Sequence, residues 1–355
     1  MAASQTAITL QTLLPMKGYR LLPLIGQTLY NLTCVENHYK NVERSIKYLT
    51  SIMSLPSAQA GPEYATWMMK SLVNCCRYSW VRKTIIEDGA LPSVLSLLSA
   101  IEDRPNKLEL VSLTATTMHM MSETSGCRIE MIQKGGLDII NSILPHAEDD
   151  SLAVAMKALH NVMKYPTLSQ SAFELCCEIS CTACRISDNP VVLEYVSACL
   201  YHLSEQSMRG NIVLANEVMA LLPKLIASEK PLTQYFSIST AGDLFFMKGT
   251  SSKNLEFLIK NVVEKGTVLV DEDAVEGLIV ALAKLCQDDF SMNILEKNGL
   301  FLGMLTLLLN LSTKCDTYGA NRAIGIAICR ITLRVKSDDV TEATKKRISV
   351  ALVGI

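Results

Sequence analysis

Aromatic residues are scarce in this chain. They make up 6% of 355 residues, with two tryptophans, Trp67 and Trp80, which argues against a core of aromatic-rich strands. Net charge is almost absent: 33 Lys and Arg stand against 35 Asp and Glu, a formal −2. No global field therefore attracts nucleic acid or an anionic membrane. Long apolar runs are missing too. The longest largely apolar stretch, 299–311, falls short of the roughly 20 residues that cross a bilayer as a helix. The N-terminal segment has no basic n-region, and Lys17 and Arg20 interrupt its apolar stretch, so it does not read as a secretory signal. No Gly-rich loop of the Walker or dinucleotide type is present. These features lead us to expect a soluble, intracellular, cytoplasmic protein with cytoskeletal or nuclear association as further options. Other proteins, and neither nucleic acid nor membrane, are its expected partners.

What the chain does have is a cadence. A short motif, first seen as Thr28-Leu29-Tyr30-Asn31-Leu32, returns centred on Leu72, Met118, Leu159, Leu200, Ala241, Leu282 and Ile328. The intervals are 43, 46, 41, 41, 41, 41 and 46 residues, inside the window of roughly 40–47 that marks helical repeats. Each copy lies late in a stretch with apolar residues at three- and four-residue steps, as in 151–165 and 191–205, the pattern of an amphipathic helix. At 49% hydrophobic residues, supplied mainly by aliphatic side chains, the chain can bury such helices against one another. A repeat array adds units in one direction, so we expect one continuous domain over 1–355, with incomplete or capping units near 1–35 and 338–355.

A second pattern keeps the same register. In Ile85-Ile-Glu-Asp-Gly89-Ala-Leu-Pro-Ser-Val-Leu-Ser-Leu-Leu98, Gly89 can end one short helix at a positive φ, and Pro92 suits the first turn of the next. The pattern returns around Gly135 and Gly299, and Gly89 to Gly135 is 46 residues, the step from Leu72 to Met118. Two motifs in one register favour a three-helix unit. These residues, followed by Ala-Leu-x-Asn, resemble the armadillo repeat. The resemblance implies an all-α, right-handed superhelix, an α-solenoid of about eight three-helix units. It weakens at 168–186, where Cys176 and Cys177 replace the inter-helix Gly, and at 251–266. The two longer intervals place about five extra residues within 102–107 and 312–319.

In that family the third helix of each unit lines a concave groove, and an Asn near its end bonds the backbone of an extended partner. A carboxamide offers donor and acceptor together. By resemblance the ladder here is Asn31, Asn74, Met120, Asn161, His202, Asp243, Lys284 and Arg330. One turn earlier stand Gln27, Lys70, Thr116, Lys157, Ala198, Ser239, Val280 and Ile326. Receptors of nuclear-localisation signals carry Trp in that row, and neither Trp here belongs to it, which disfavours that function. Two turns earlier come Pro23, Thr66, Ser112, Ala153, Glu194, Tyr235, Glu276 and Arg322. The expected partner-binding residues are thus Asn31, Asn74, Asn161, His202, Asp243, Lys284 and Arg330, with Lys70, Lys157, Glu194, Glu276 and Arg322 beside them. The bland alternative is that each is a solvated residue at a helix edge.

Chemistry has one candidate, Cys176-Cys177-Glu-Ile-Ser-Cys181-Thr-Ala-Cys184. Cys177, Cys181 and Cys184 share a helical face, yet a zinc site needs a second converging pair or a His. The repeat register puts Cys181 and Cys184 where other units bury aliphatic residues, so core thiols are the expected reading. Cys75, Cys76, Cys199, Cys286 and Cys329 are read the same way, as small buried hydrophobes. The five His are spread over distant units, and nothing repeats with them that would make a triad. The sequence therefore points to a non-enzymatic interaction scaffold without cofactor or metal. The first alternative is a structural component of a cytoskeletal or axonemal assembly, with its C-terminal end as a docking point. The second is a thiol- or zinc-dependent activity at 176–184.

Overall fold

The computed structural model describes residues 22–34, 50, 53, 62–98, 105–165, 168–206, 210–244, 256, 260, 263, 272–335 and 340–353. Every regular element among them is helical. Contacts divide the chain into two compact units, Met1–Ala183 and Cys184–Ile355. Parts of the sequence reading, the N-terminal segment and most of 251–266, lie outside the described residues.

The first unit contains α1 (Leu22–Thr33), α2 (Pro62–Cys76), α3 (Ser79–Glu87), α4 (Ala90–Leu98), α5 (Lys107–Glu123), α6 (Ser125–Gln133), α7 (Gly136–Ile143) and α8 (Asp149–Met163). A long helix, α9 (Gln170–Ile186), closes it and runs a few residues into the second. The helices that carry the cadence pack as neighbours, α1 on α2, α2 on α5 and α5 on α8. Gly89 and Gly135 adopt φ of 90° and 85°, a left-handed turn that glycine enters without a Cβ clash. They break the short helix pairs α3/α4 and α6/α7 where the sequence placed the breaks. Two arginines repeat a further device. Arg82 Nε donates to Cys76 O at 2.6 Å and Arg128 Nε to Ser122 O at 2.8 Å, so each satisfies a carbonyl at the end of the preceding long helix, which the helix itself leaves open.

The second unit contains α10 (Pro190–Glu205), α11 (Ile212–Ile226), α12 (Pro231–Leu244), α13 (Glu272–Gln287), α14 (Asp289–Lys297), α15 (Phe301–Leu311), α16 (Tyr318–Thr332) and α17 (Glu342–Val353). Again the cadence helices are neighbours, α10 with α12, α12 with α13 and α13 with α16. Side-chain caps start five of its helices. Asn189, Asn211, Asp288, Thr317 and Thr341 accept from the backbone N–H of Val191, Leu214, Ser291, Ala320 and Thr344, each worth about 1 kcal/mol. Gly299, at φ 64°, breaks α14 from α15, and the two helices bend by 113° there. That apolar pair therefore forms a corner, and among the described residues no single helix is long and apolar enough to cross a membrane.

The eight cadence residues are the centre of the packing. Leu29 and Ala241 are 1% exposed, and Leu72, Met118, Leu159, Leu200, Leu282 and Ile328 are 0%. Burying each Leu, Ile or Met side chain among them contributes about 1.5–3 kcal/mol. The short–short–long helix order expected of a repeat unit recurs at α3–α5, α6–α8 and α14–α16, and among the described residues it is interrupted at α9, where the resemblance already weakens, and at α11. There α9 and α11 each replace a short pair with one uninterrupted helix. The physical reason is local: no glycine lies within α9 or α11, so the backbone has no residue that enters the left-handed turn at low cost. Of the five extra residues expected within 312–319, the connection before α16 carries one, six residues at 312–317 against five at 144–148; most of the rest lengthen α15, which has eleven residues against eight in α7. Half of the other expected insertion, 102–104, lies outside the described residues.

Candidate functional site

In the first unit the predicted groove positions are largely occupied by neighbouring helices. Asn74 is 7% exposed, and its Nδ2 donates to Thr33 Oγ1 at 3.3 Å and Cys34 Sγ at 3.4 Å. Asn161 Nδ2 donates to Ser122 Oγ at 3.2 Å. Thr66 accepts a hydrogen bond from Asn106. The Lys70 ammonium meets Glu109 at 2.7 Å and lies 4.9 Å from the centre of the Trp67 ring. Trp67 is outside the row the sequence reading used, yet it supports that row's lysine. Asn31 is exposed and Lys157 half-buried. Lys157 acts at a distance: burial chiefly, and then its charge, hold His119 below the ordinary imidazole value.

These bonds follow a rule. The Asn two residues past a cadence centre meets the hydroxyl four residues past the preceding centre, as in Thr33 with Asn74 and Ser122 with Asn161. The second unit repeats it with a carboxylate, Ser204 Oγ donating to Asp243 Oδ2 at 3.1 Å. The residues read as ladder rungs thus also join successive long helices, a role that spacing alone cannot distinguish from partner capture.

The second unit differs in what surrounds the rungs. Asp243 and Lys284 sit 3.4 Å apart on the wall of a cavity of about 390 Å³ set among α10, α12 and α13. Tyr235, Ser239 and Val280, members of the two flanking rows, line it as well. Five sequence-selected positions therefore converge there. Sequence reading missed Tyr201 and Glu205 of α10, which complete the wall. They are one helical turn apart, immediately beside the rows that were followed. Tracing those rows one residue further round the helix would have found them.

Close packing shapes this cavity. The rings of Tyr201 and Tyr235 are 6.2 Å apart, and Phe236 lies 5.5 Å from Tyr201 and 5.3 Å from Tyr235. A Cβ at Gly277 would collide with the Tyr235 ring, and one at Gly242 would come within 3.0 Å of Ala281. The glycines let α12 and α13 approach and give Tyr235 its place. Burial first, and then its hydrogen bond to Glu205, raise the Tyr201 phenol above its ordinary range, so Tyr201 keeps its proton at neutral pH.

Other predicted residues surround this centre. Glu194 is paired with Lys230 at 2.7 Å, and His202 faces Glu205 at 3.3 Å. Glu276 is half-buried on α13, with its carboxylate in the space Gly319 leaves open. On α16, Arg322 is exposed, and Arg330 reaches back to the Gln287 carbonyl and to Asp289 at 3.4 Å. The structure brings Asp243 and Lys284 into one cavity and spreads the remaining residues along the neighbouring long helices.

The cysteine cluster lies in the interior. Cys176, Cys177, Cys181 and Cys184 are 0% exposed, and burial pushes the Cys176 thiol up to about 12. A thiol with that value is a poor nucleophile and a poor ligand at neutral pH. Among the described residues no group of three or more His, Cys, Asp or Glu has the geometry to hold a metal ion. Cys75, Cys76, Cys199 and Cys286 are buried, but Cys329 is exposed. Its expected place in the core is corrected: it follows the cadence residue Ile328 by one position, which turns it about 100° away from the packed face.

Comparison with known proteins adds the fold alone. No family model matches the chain, and no curated protein does. A crystal structure described as that of an engineered protein is similar over 99% of this chain and 86% of its own, at a TM-score of 0.58 and 15% identity. It is among 103 solved chains that match, so the architecture is widely used and does not identify a function.

Proposed function

We propose that the chain is a non-enzymatic scaffold of the armadillo-like solenoid kind, which holds a segment of a partner protein along the exposed face of its long helices. The observation that carries this reading is the convergence of Tyr235, Ser239, Asp243, Val280 and Lys284 on one cavity. They belong to three rows that follow from the repeat spacing of the sequence. Packed helices present such a face with little ordering cost on the receptor side, so the binding energy is not consumed by folding the receptor.

Site-specific photocrosslinking tests the reading. A benzophenone amino acid at Val280 or Ile326, on the proposed face, should give discrete adducts in native lysate. The same group at Glu229 or Glu296, exposed residues outside the rows, should give none. Adducts confined to Glu229 or Glu296 would overturn face capture and favour an assembly component held by its outer surface.

A further inference from the structure

We infer that the cavity among α10, α12 and α13 is a receptor for a single cationic side chain, Lys or Arg, of the bound segment. The inference rests on the proposed scaffold function and specifies what the face selects.

Charge gives the first argument. Glu205 and Asp243 contribute two carboxylates to the wall and Lys284 one ammonium. An anionic guest would face two like charges in a recess partly shielded from water, where such repulsion is costly. The rings supply the second. Tyr201 and Tyr235 place aromatic surface beside those carboxylates, and a cation over a tyrosine face gains electrostatic attraction that a neutral guest does not. Glu205 already holds the Tyr201 hydroxyl and retains oxygen lone pairs for a donor from the guest.

Ser239 gives the third. It is 9% exposed and lines the cavity, and it makes no hydrogen bond among the described residues. Buried hydroxyls in helices usually find a partner: Ser237 donates to Thr233 O at 2.6 Å and Thr240 to Phe236 O at 2.8 Å, whereas Thr233 Oγ1, which does not line the cavity, has none among the described residues. An uncommitted hydroxyl in a cavity wall is an acceptor for an ammonium or guanidinium N–H. Lys284 supplies the last argument. Its ammonium contacts Asp243 at 3.4 Å while its side chain is 45% exposed, so the chain's own cation occupies the edge of the recess by a long contact that a better-placed one can displace.

NMR titration of protein with labelled tyrosine rings tests this. The probes are short Gly/Ser/Ala peptides with one central Arg, Lys, Gln or phosphoserine. The Arg and Lys peptides should shift the Tyr201 and Tyr235 signals and bind about tenfold more tightly than the Gln peptide, the equivalent of one favourable charge contact. In Glu205→Gln, and in Glu205→Gln combined with Asp243→Asn, that preference should fall towards unity while the ring signals remain dispersed. Equal binding of all peptides, or a preference left intact in both variants, would sink the cation receptor and leave face capture standing. Preference for phosphoserine would reverse the assignment of charge. Failure of every peptide, combined with absent photoadducts at Val280 and Ile326, would remove both readings.

Discussion

The two units use the same register for different ends. In the first, Asn74 and Asn161 are bonded to hydroxyls of the preceding long helix, and Lys70 is held by Glu109 and Trp67. In the second, Asp243 makes the equivalent bond to Ser204 yet also faces a cavity that Tyr201, Glu205 and Tyr235 help to build. The backbone position is the same. What differs is whether the neighbouring helix supplies only a partner or also leaves a space. A repeat position thus defines where a side chain sits, and its neighbours decide whether it joins helices or receives a guest.

The largest effects should ignore this difference. Leu159→Ala in the first unit and Leu282→Ala in the second both empty a fully buried site, and each should lower stability by about 2–5 kcal/mol in urea denaturation. Similar losses would establish that the cadence is structural in both units. A loss below about 1 kcal/mol at either site would break the equivalence.

Glycines should separate the units more sharply. Gly277→Ala places a methyl group in the Tyr235 ring, and overpacking of that kind costs about 1–3 kcal/mol. It should also move the Tyr235 ring signals and weaken the cationic peptides. Gly126→Ala, in α6 of the first unit, meets nothing within 4 Å and should be neutral or stabilise by up to about 1 kcal/mol, the helix preference of Ala over Gly. Equal destabilisation by the two would mean that Gly277 is not what places Tyr235.

The joining bonds come next in size. Asn74→Ala removes a buried donor and leaves Thr33 without it, which should cost about 1–3 kcal/mol. Ser122→Ala and Ser204→Ala remove the hydroxyl partner of a more accessible group and should cost about 0.5–1.5 kcal/mol each. A measurable penalty at Asn74, with no effect of Asn31→Ala on stability, would separate the joining rungs from the exposed one.

How much of this was legible in the sequence follows from the same residues. The cadence identified the core because burial recurs with the helix period, and Gly89, Gly135 and Gly299 identified helix breaks because few other residues accept their backbone conformation. The merged helices at 170–186 and 212–226 were less legible, since a missing glycine removes a signal without supplying another. The row positions were legible, but their commitments were not. Asn74 and Asn31 are the same residue at the same register, and only the contact between α1 and α2 shows that one is bonded and the other exposed. Tyr201 and Glu205 escaped because the rows taken from the repeat spacing cover one stripe of the helix, whereas a cavity among three helices draws on the adjacent stripe as well.

The smallest stability effect carries the sharpest contrast. Lys70 and Lys284 stand in adjacent rows of the pattern, and each contacts a carboxylate, Lys70 at 2.7 Å with a ring beneath it and Lys284 at 3.4 Å without one. Exposed ion pairs contribute about 0–1 kcal/mol. Lys70→Met should therefore cost a few tenths of a kcal/mol up to about 1, with part of the loss erased by salt, which screens the Glu109 contact. Lys284→Met should cost less, because the contact is longer and the methionine stem can cover the same apolar surface. Yet it removes the competing ammonium from Asp243, so affinity for the Arg peptide should rise while stability hardly changes. In the first unit the same substitution should leave peptide binding at Tyr201 and Tyr235 untouched. If Lys284→Met weakened the Arg peptide instead, Lys284 would be part of the receptor and not its displaced occupant, and the charge the cavity selects would have to be reversed.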